Sequence, residues 1–562
     1  MLVIKKDYLK IPTASHVKRA VLFFPMVKTN KNLSLCAILL LLLSVSLSIR
    51  LWGISFGLPG IDHGDESEVV NHAVRFGSGD LNPHRFQYGS LFQYILFIFY
   101  GCYFLGGYLL GGFSSVHQFA IYFVKDPTDF YLIARTVSAV LGTATVLITY
   151  FIGKNIKSGE VGIVAALLLA VSYEHVVHSH YGTVDVALTF LFSLTVYLCL
   201  RIFDTDEYLG YLSAGLLIGF ATGTKFNGIF ASTAFLAAHF LRGNKFHFIE
   251  KVFNKKFGLG IIGIFVGHFI VCPFFYIDFH DALFEIGQLS AFHASSHFNL
   301  GTYLREFIKN YWGIPAGAFC ILGLLRSAIA LNKREWVLIV PAATVVCFAS
   351  LHNYVEAKYI LCVFPVFAVL GSNFVVECLT YLKQKYLAIL FIVLLIAHPL
   401  YMIIQWDYEH GQKSITLEAK EWIENNIAKN AKILLDNVGN AGPKLNNSKK
   451  NLEHQYKRAL QHNLLIAEQL KLKLEAPSAI YYEVFLVDSA AGSTQDDYVK
   501  YRLWQDTEII GNSPEYYRAR GFEYIIVSDR CFPQMEKGFK LIKEFKRGER
   551  GIRIYTTKTE PK

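Results

Sequence analysis

Up to about residue 405 the chain is divided by apolar runs of roughly 15 to 22 residues, each long enough at about 1.5 Å per residue to cross a hydrocarbon layer about 30 Å thick. A cytosolic enzyme, a disordered chain and a secreted disulfide scaffold are all excluded by that pattern. Composition agrees, with 53% hydrophobic and only 17% charged residues in 562, against about 25% charged in an ordinary globular domain. The expected fold class is a polytopic α-helical membrane protein of about eleven spans plus a surface helix, with a C-terminal α/β domain. The net charge of +10 does not call for a nucleic-acid partner. The basic residues crowd the N-terminus and alternate loops, as membrane orientation requires, so the partner they imply is the bilayer. Eight of the nine cysteines lie in or beside apolar runs and only Cys531 sits in the polar tail, so no disulfide framework is suggested. The first run follows a basic stretch and lacks a small-x-small cleavage site, which reads as a retained anchor.

Spans are expected at 34–53, 131–152, 161–177, 184–202, 208–224, 227–241, 258–277, 311–330, 335–351, 358–378 and 386–405. A twelfth apolar segment, 91–112, is rich in glycine and tyrosine. If it crossed, every later loop would invert and the most basic ones would lie outside. It is therefore read as lying at the membrane surface or re-entering. The division that follows is a cytoplasmic segment 1–33, a transmembrane domain 34–405 with an outer loop 54–130, and an outer α/β domain 406–562. In that tail Ile415, Ala419, Trp422, Ile423 and Ile427 keep helical spacing. LEHQYKRALQHNLLIAEQLKLKLE is expected as a second amphipathic helix, and ILL, YYEVFLVD, FEYIIVSD and IRIYTT as strands.

Long loops usually carry function, and 54–130 is too long for a connector. Asp65 and Glu66 begin an amphipathic helix carrying Val69, Val70, Ala73 and Phe76. Asp65 and Glu68 have capping-box spacing, so a cap and a catalytic carboxylate are both open, and the two roles are compatible. Asp185 stands at the mouth of the fourth span, with Glu174, His175, His178 and His180 nearby. An ionisable residue at a membrane mouth is functional by default, although these histidines lack any HExxH-like metal spacing. Arg135, Lys225 and Lys358 lie at the outer ends of their spans. Snorkelling explains one such lysine, whereas three cations on the carboxylate side suit a phosphate at the interface.

The acidic pair in a long first loop, the R-x-x-S-A-x-x-G-T span from Arg135, Asp185 after the third span and the G-x-x-x-G-x-K-F helix end at Lys225 together resemble the GT-C superfamily. The nearest branch is that of protein O-mannosyltransferases and lipid A aminoarabinose transferases. The resemblance covers roughly 34–405 and extends to the tail through AKEWIENNIAKNAKILLD and IRIYTT. It implies an inverting glycosyltransferase moving a sugar from a polyprenyl-phosphate donor to a lipid, glycan or protein acceptor outside the cytoplasm. Asp65 then matches the general base, Glu66 its partner and Asp185 a second acidic position. Lys225 matches a basic position near the carrier phosphate and Arg135 an arginine at the start of its span.

Such chemistry suits one carboxylate to take the hydroxyl proton and fixed cations beside a leaving group already stable as an anion. A base on the face opposite the leaving group implies inversion. Two departures stand out. Gly64 replaces a frequent proline, and Gln87 and Tyr88 stand where the aminoarabinose branch has glutamate and lysine, leaving Arg85 or His84 as candidates for the missing charge. No cofactor is specified by these residues, and a divalent metal is left open. The competing classes are a lipid or solute transporter and a non-catalytic polysaccharide assembly protein. The expected location is a bacterial inner membrane with the tail periplasmic; an endoplasmic reticulum membrane with a luminal tail fits the same topology.

Overall fold

The computed structural model describes residues 31–61, 63–243, 248–295, 297–382, 384–436, 442–476, 478–487, 505–508, 513–528, 539–547 and 550–558. Residues 1–30 of the expected cytoplasmic segment, and Cys531, lie outside them. The first helices are α1 (Lys31–Leu51), α2 (Gly64–Arg75), α3 (Leu91–Leu109), α4 (Val116–Lys125), α5 (Thr128–Ile156), α6 (Gly159–Ala170) and α7 (Tyr173–Ser179). They are followed by α8 (Val184–Thr205), α9 (Tyr208–Thr222), α10 (Ser232–Leu241), α11 (Phe248–Val252), α12 (Lys255–Val271), α13 (Pro273–Ile277) and α14 (Phe279–His293). Next come α15 (Leu300–Glu306), α16 (Ile314–Ala330), α17 (Lys333–Ala349), α18 (Phe364–Tyr381) and α19 (Lys385–His410). The tail adds α20 (Ile415–Asn426), α21 (Lys449–Gln461) and α22 (Ile466–Glu475).

Two compact units divide the chain. The first comprises Met1–Trp52, Asn82–Phe92 and Val137–Gln405, and the second Gly53–Leu81, Gln93–Thr136 and Trp406–Lys562.

The first unit is helical around one large apolar core drawn from α5, α6, α8, α9, α10 and α16 to α18. Every segment expected to span contains a helix within it. Among the described residues five helices of the whole chain are long and apolar enough to cross a membrane, or six if the bent pair α6–α7 counts as one span. Several of the others are shortened where the sequence breaks them. The expected 258–277 span is cut at Pro273, the first residue of α13, because proline there has no N–H to continue the ladder. The expected 311–330 span starts only at Ile314, after Gly313 at φ +77°. Glycines also set the closest helix contact. A Cβ on Gly215 or Gly219 of α9 would fall into the backbone of α12 around Gly260, Gly263, Gly267 and His268. Small residues at this spacing allow two backbones to approach within a membrane, where dispersion replaces the hydrophobic effect.

The second unit begins with α2, whose Val69, Val70, Ala73 and Phe76 are buried as their spacing predicts. Segment 91–112, expected at the surface or re-entering, forms the continuous 19-residue helix α3, which meets the same length and apolarity test as the spans. Loop charge and helix length thus point in different directions for α3. Its end packs with α4 in an aromatic cluster of Tyr103, Phe104, Phe113, Phe119 and Phe130.

In the tail, α20 buries Ala419 and Ile423 against a six-stranded sheet. The strands are β1 (Lys432–Leu435), β2 (Glu483–Val487), β3 (Thr507–Glu508), β4 (Tyr524–Ser528), β5 (Lys540–Arg547) and β6 (Arg550–Thr556). Their order is β3-β2-β1-β4-β6-β5. β3, β2, β1 and β4 run parallel, and β6 and β5 close one edge antiparallel. All four strands expected from the sequence are present, while β3 and β5 were not expected. The expected single helix 452–475 is two, α21 and α22, broken at Asn463 in the left-handed region at φ +50°, a conformation that asparagine tolerates better than most residues.

Candidate active site

In the second unit α2 places the acidic pair. Its cap position falls on His63 and Asp65 sits in the first turn. Asp65 and Glu68 therefore do not occupy the cap and third positions of a capping box, and Glu68 instead lies beside His72. Asp65 is half-buried, with its charge at the positive end of the helix. Glu66, next to it, is fully buried and takes two hydrogen bonds from Arg135, at 2.7 Å from Nε and 2.8 Å from Nη2. Nη1 of the same guanidinium donates to the carbonyls of Ile54 and Phe56, each at 2.8 Å. The Phe56 ring lies 4.2 Å from the guanidinium carbon and meets Trp406 edge-on at 5.3 Å. Arg135 thus binds the beginning of the outer loop to the helix that bears Asp65, using four of the five N–H groups a guanidinium offers.

The first unit holds the other expected residues. Asp185 is the second residue of α8, and Lys225 follows the end of α9. Lys225 Nζ donates to Asp185 Oδ1 at 2.7 Å, with the carboxylate buried and the ammonium partly exposed. Lys225 also stands 5.5 Å from the centre of the Tyr359 ring, and Lys358 approaches the same ring at 5.6 Å. Lys358 pairs with Glu356 at 2.9 Å and lies within electrostatic reach of Asp185. Two cations, each paired with a carboxylate, and an aromatic face therefore gather in one place, and charged donors of this kind suit an anionic ligand.

Arg85 and His84 lie on a segment stitched to the same unit. Asn82 donates to Asp278 at 2.6 Å and the Phe86 amide to Glu285 at 2.6 Å. The Ser90 amide meets Cys272 Sγ at 3.3 Å, and the Leu91 amide donates to Gly223 O at 3.0 Å. Gly89 lies so close to the Gly223 backbone that any Cβ there would overlap it. Gln87 and Tyr88 are thus brought to the loop that leads into Lys225. His84 is exposed at φ +52° and Arg85 is half-buried.

Among the histidines near Asp185, His180 bonds the carbonyls of Val176 and Trp52 and His178 approaches Glu174 at 3.6 Å. Among the described residues no group of three or more His, Cys, Asp or Glu side chains could hold a metal ion.

Residues 131–277, which include Arg135, Asp185 and Lys225, match the family described as dolichyl-phosphate-mannose-protein mannosyltransferase. ArnT from Cupriavidus metallidurans bound to undecaprenyl phosphate is similar at 11% identity and a TM-score of 0.54, over 93% of this chain and 98% of that one. The chain has the GT-C membrane fold. The apo form of the same ArnT is similar at 13% identity and a TM-score of 0.51, over 92% and 97% of the two chains. No curated protein sequence matches this chain.

Several residues at or near the site escape notice in the sequence. Arg50, inside the first apolar run, is fully buried. Its guanidinium donates to Ser46 Oγ at 2.7 Å, Ala170 O at 3.2 Å and His175 Nδ1 at 2.9 Å. It therefore places a cation at the negative end of α6, where the chain bends by 61° into α7. An arginine inside an apolar run was the available signal. Arg50→Met is expected to lower the melting temperature in detergent, because each carbonyl left unpaired costs about 1–3 kcal/mol. An unchanged melting temperature would show that the bend does not depend on Arg50. Tyr359, His293 and His352 were also missed. His352 packs edge-on to Tyr359 at 4.6 Å between ring centres, and His293 does so at 5.6 Å.

Proposed function

We propose that this chain is an integral-membrane glycosyltransferase moving a sugar from a polyprenyl-phosphate donor to an acceptor hydroxyl at the outer face of the membrane. The observation that carries this reading is the Asp185–Lys225 pair, with Lys358 and Tyr359 beside it, inside a GT-C fold. Lys225 and Lys358 bind the donor phosphate and stabilise charge that grows on it as the glycosidic bond breaks. Asp185 fixes the Lys225 ammonium. Asp65 takes the proton of the acceptor hydroxyl, whose oxygen attacks the anomeric carbon from the side opposite the phosphate. One C–O bond forms, the bond to the phosphate oxygen breaks, and the lipid phosphate leaves with its electron pair, so the anomeric centre inverts. Glu66 and Arg135 hold the helix that carries Asp65, and Arg85 or His84 supplies the missing charge on the segment bound to Gly223.

Loop charge supports an orientation with the N-terminus cytoplasmic and residues 406–562 outside, and the resemblance of the tail to bacterial members favours a bacterial inner membrane. The acceptor is a lipid, glycan or protein.

Purified protein should bind undecaprenyl phosphate, and Lys225→Met should weaken that binding about 10- to 100-fold through loss of a charged hydrogen bond. Lys225→Arg should recover part of the loss. Native mass spectrometry of the detergent-solubilised protein reads this directly. Equal binding by a folded Lys225→Met variant would remove Lys225 from the phosphate site.

A further inference from the structure

Three uncharged polar side chains close to the Asp185–Lys225 pair have buried atoms without hydrogen-bond partners among the described residues: Thr183 Oγ1, Asn227 Oδ1 and His352 Nδ1. Thr183 is almost wholly buried and occupies the cap position of α8 with an extended backbone, yet its hydroxyl makes no capping bond. A threonine at that position ordinarily accepts from an amide of the first turn. Asp185 follows two residues later. Asn227 lies two residues after Lys225, in the turn Phe226–Ala231 that packs against α8 and α17. His352 sits against Tyr359, the ring that Lys225 and Lys358 flank. Burial, with His293 and Lys225 nearby, pushes the His352 imidazole down to about 4, so it is neutral at physiological pH.

We propose that Thr183, Asn227 and His352 form the subsite that reads the hydroxyl groups of the donor sugar, an inference that rests on the donor reading above. A buried polar atom without a partner is costly, and three of them beside one ion pair are explained by a ligand that completes them. The chemistry selects the ligand. The lysines supply what a phosphate needs, and none of the three groups adds charge. A hydroxyl, an amide and a neutral imidazole can each both donate and accept, as a sugar hydroxyl does. The subsite adjoins the phosphate-binding lysines, where the sugar of a polyprenyl-phosphate donor must lie.

The test compares Thr183→Val, Asn227→Leu and His352→Phe with the wild-type chain. Binding is measured for undecaprenyl phosphate alone and for undecaprenyl phosphate carrying mannose, glucose or 4-aminoarabinose. The wild type should bind at least one sugar-bearing lipid more tightly than the bare carrier. Each variant should lose about 3- to 10-fold of that advantage while binding the bare carrier as before. Their melting temperatures should hold or rise, because an apolar group replaces a polar one that lacked a partner; a purely structural role would lower them.

Variants that keep the full sugar advantage overturn the inference, as does a wild type for which no sugar adds affinity. If variants lose the advantage of a glycan acceptor rather than of the donor, the subsite belongs to the acceptor and the inference is again wrong. A wild type that fails to bind the bare carrier refutes the donor reading itself.

Discussion

Asp65→Asn is expected to lower sugar transfer by about 100- to 10,000-fold, the range over which a positioned general base contributes, with the fold intact. Asparagine keeps the size and most of the hydrogen-bonding shape of aspartate but takes up no proton. Asp65 is half-buried in the first turn of α2 and is not the cap residue. Losing its charge there costs only about 0.3–1 kcal/mol of helix-dipole interaction, so the melting temperature should shift little. Donor affinity should be close to wild type, because the loss falls on the acceptor's proton. Full transfer by Asp65→Asn would assign the residue to the helix dipole alone.

Breaking the Glu66–Arg135 pair should have the opposite signature. Both side chains are essentially fully buried, and removing one partner from a buried ion pair typically costs about 3–5 kcal/mol because a charge is left uncompensated. Glu66→Gln should therefore lower the melting temperature strongly and reduce activity in proportion to folded protein. Arg135→Met should cost at least as much, since it also abandons the carbonyls of Ile54 and Phe56. Replacing both residues by methionine should be less harmful than the sum of the single changes, measured as a double-mutant cycle on thermal stability. Additive losses would mean that the two residues do not act as a pair.

The different surroundings of these adjacent carboxylates were hidden in the sequence. The acidic pair itself was legible, as was the buried stripe of α2, because both follow from local composition and a 3.6-residue period. The pairing of Glu66 was not, since Arg135 reaches it across 69 positions. Asp185 and Lys225 were each visible as ionisable residues at helix ends. Their contact across 40 positions depends on how α8 and α9 pack, which periodicity does not encode. Apolar runs were easy to locate because hydropathy integrates over a whole helix. Their breaks were harder, as at Pro273 and Gly313, since one residue decides them. The interruption between α21 and α22 hangs on Asn463 alone, while the surrounding helical pattern continues across it. For α3 the two available signals disagree: loop charges favour the surface, and its length and apolarity fit a span. Arg50 and His352 escaped notice because their importance lies in what they touch: the carbonyl end of α6 and the ring of Tyr359.

The most direct measurement is mass spectrometry of lipid extracts from cells making the wild-type chain and from cells making Asp65→Asn, with both proteins shown to be folded and equally abundant. A polyprenyl-phosphate sugar should accumulate only with the variant, and its mass would give the class of the transferred sugar. Identical lipid profiles would contradict the proposed transfer from a polyprenyl-phosphate donor with Asp65 as its base.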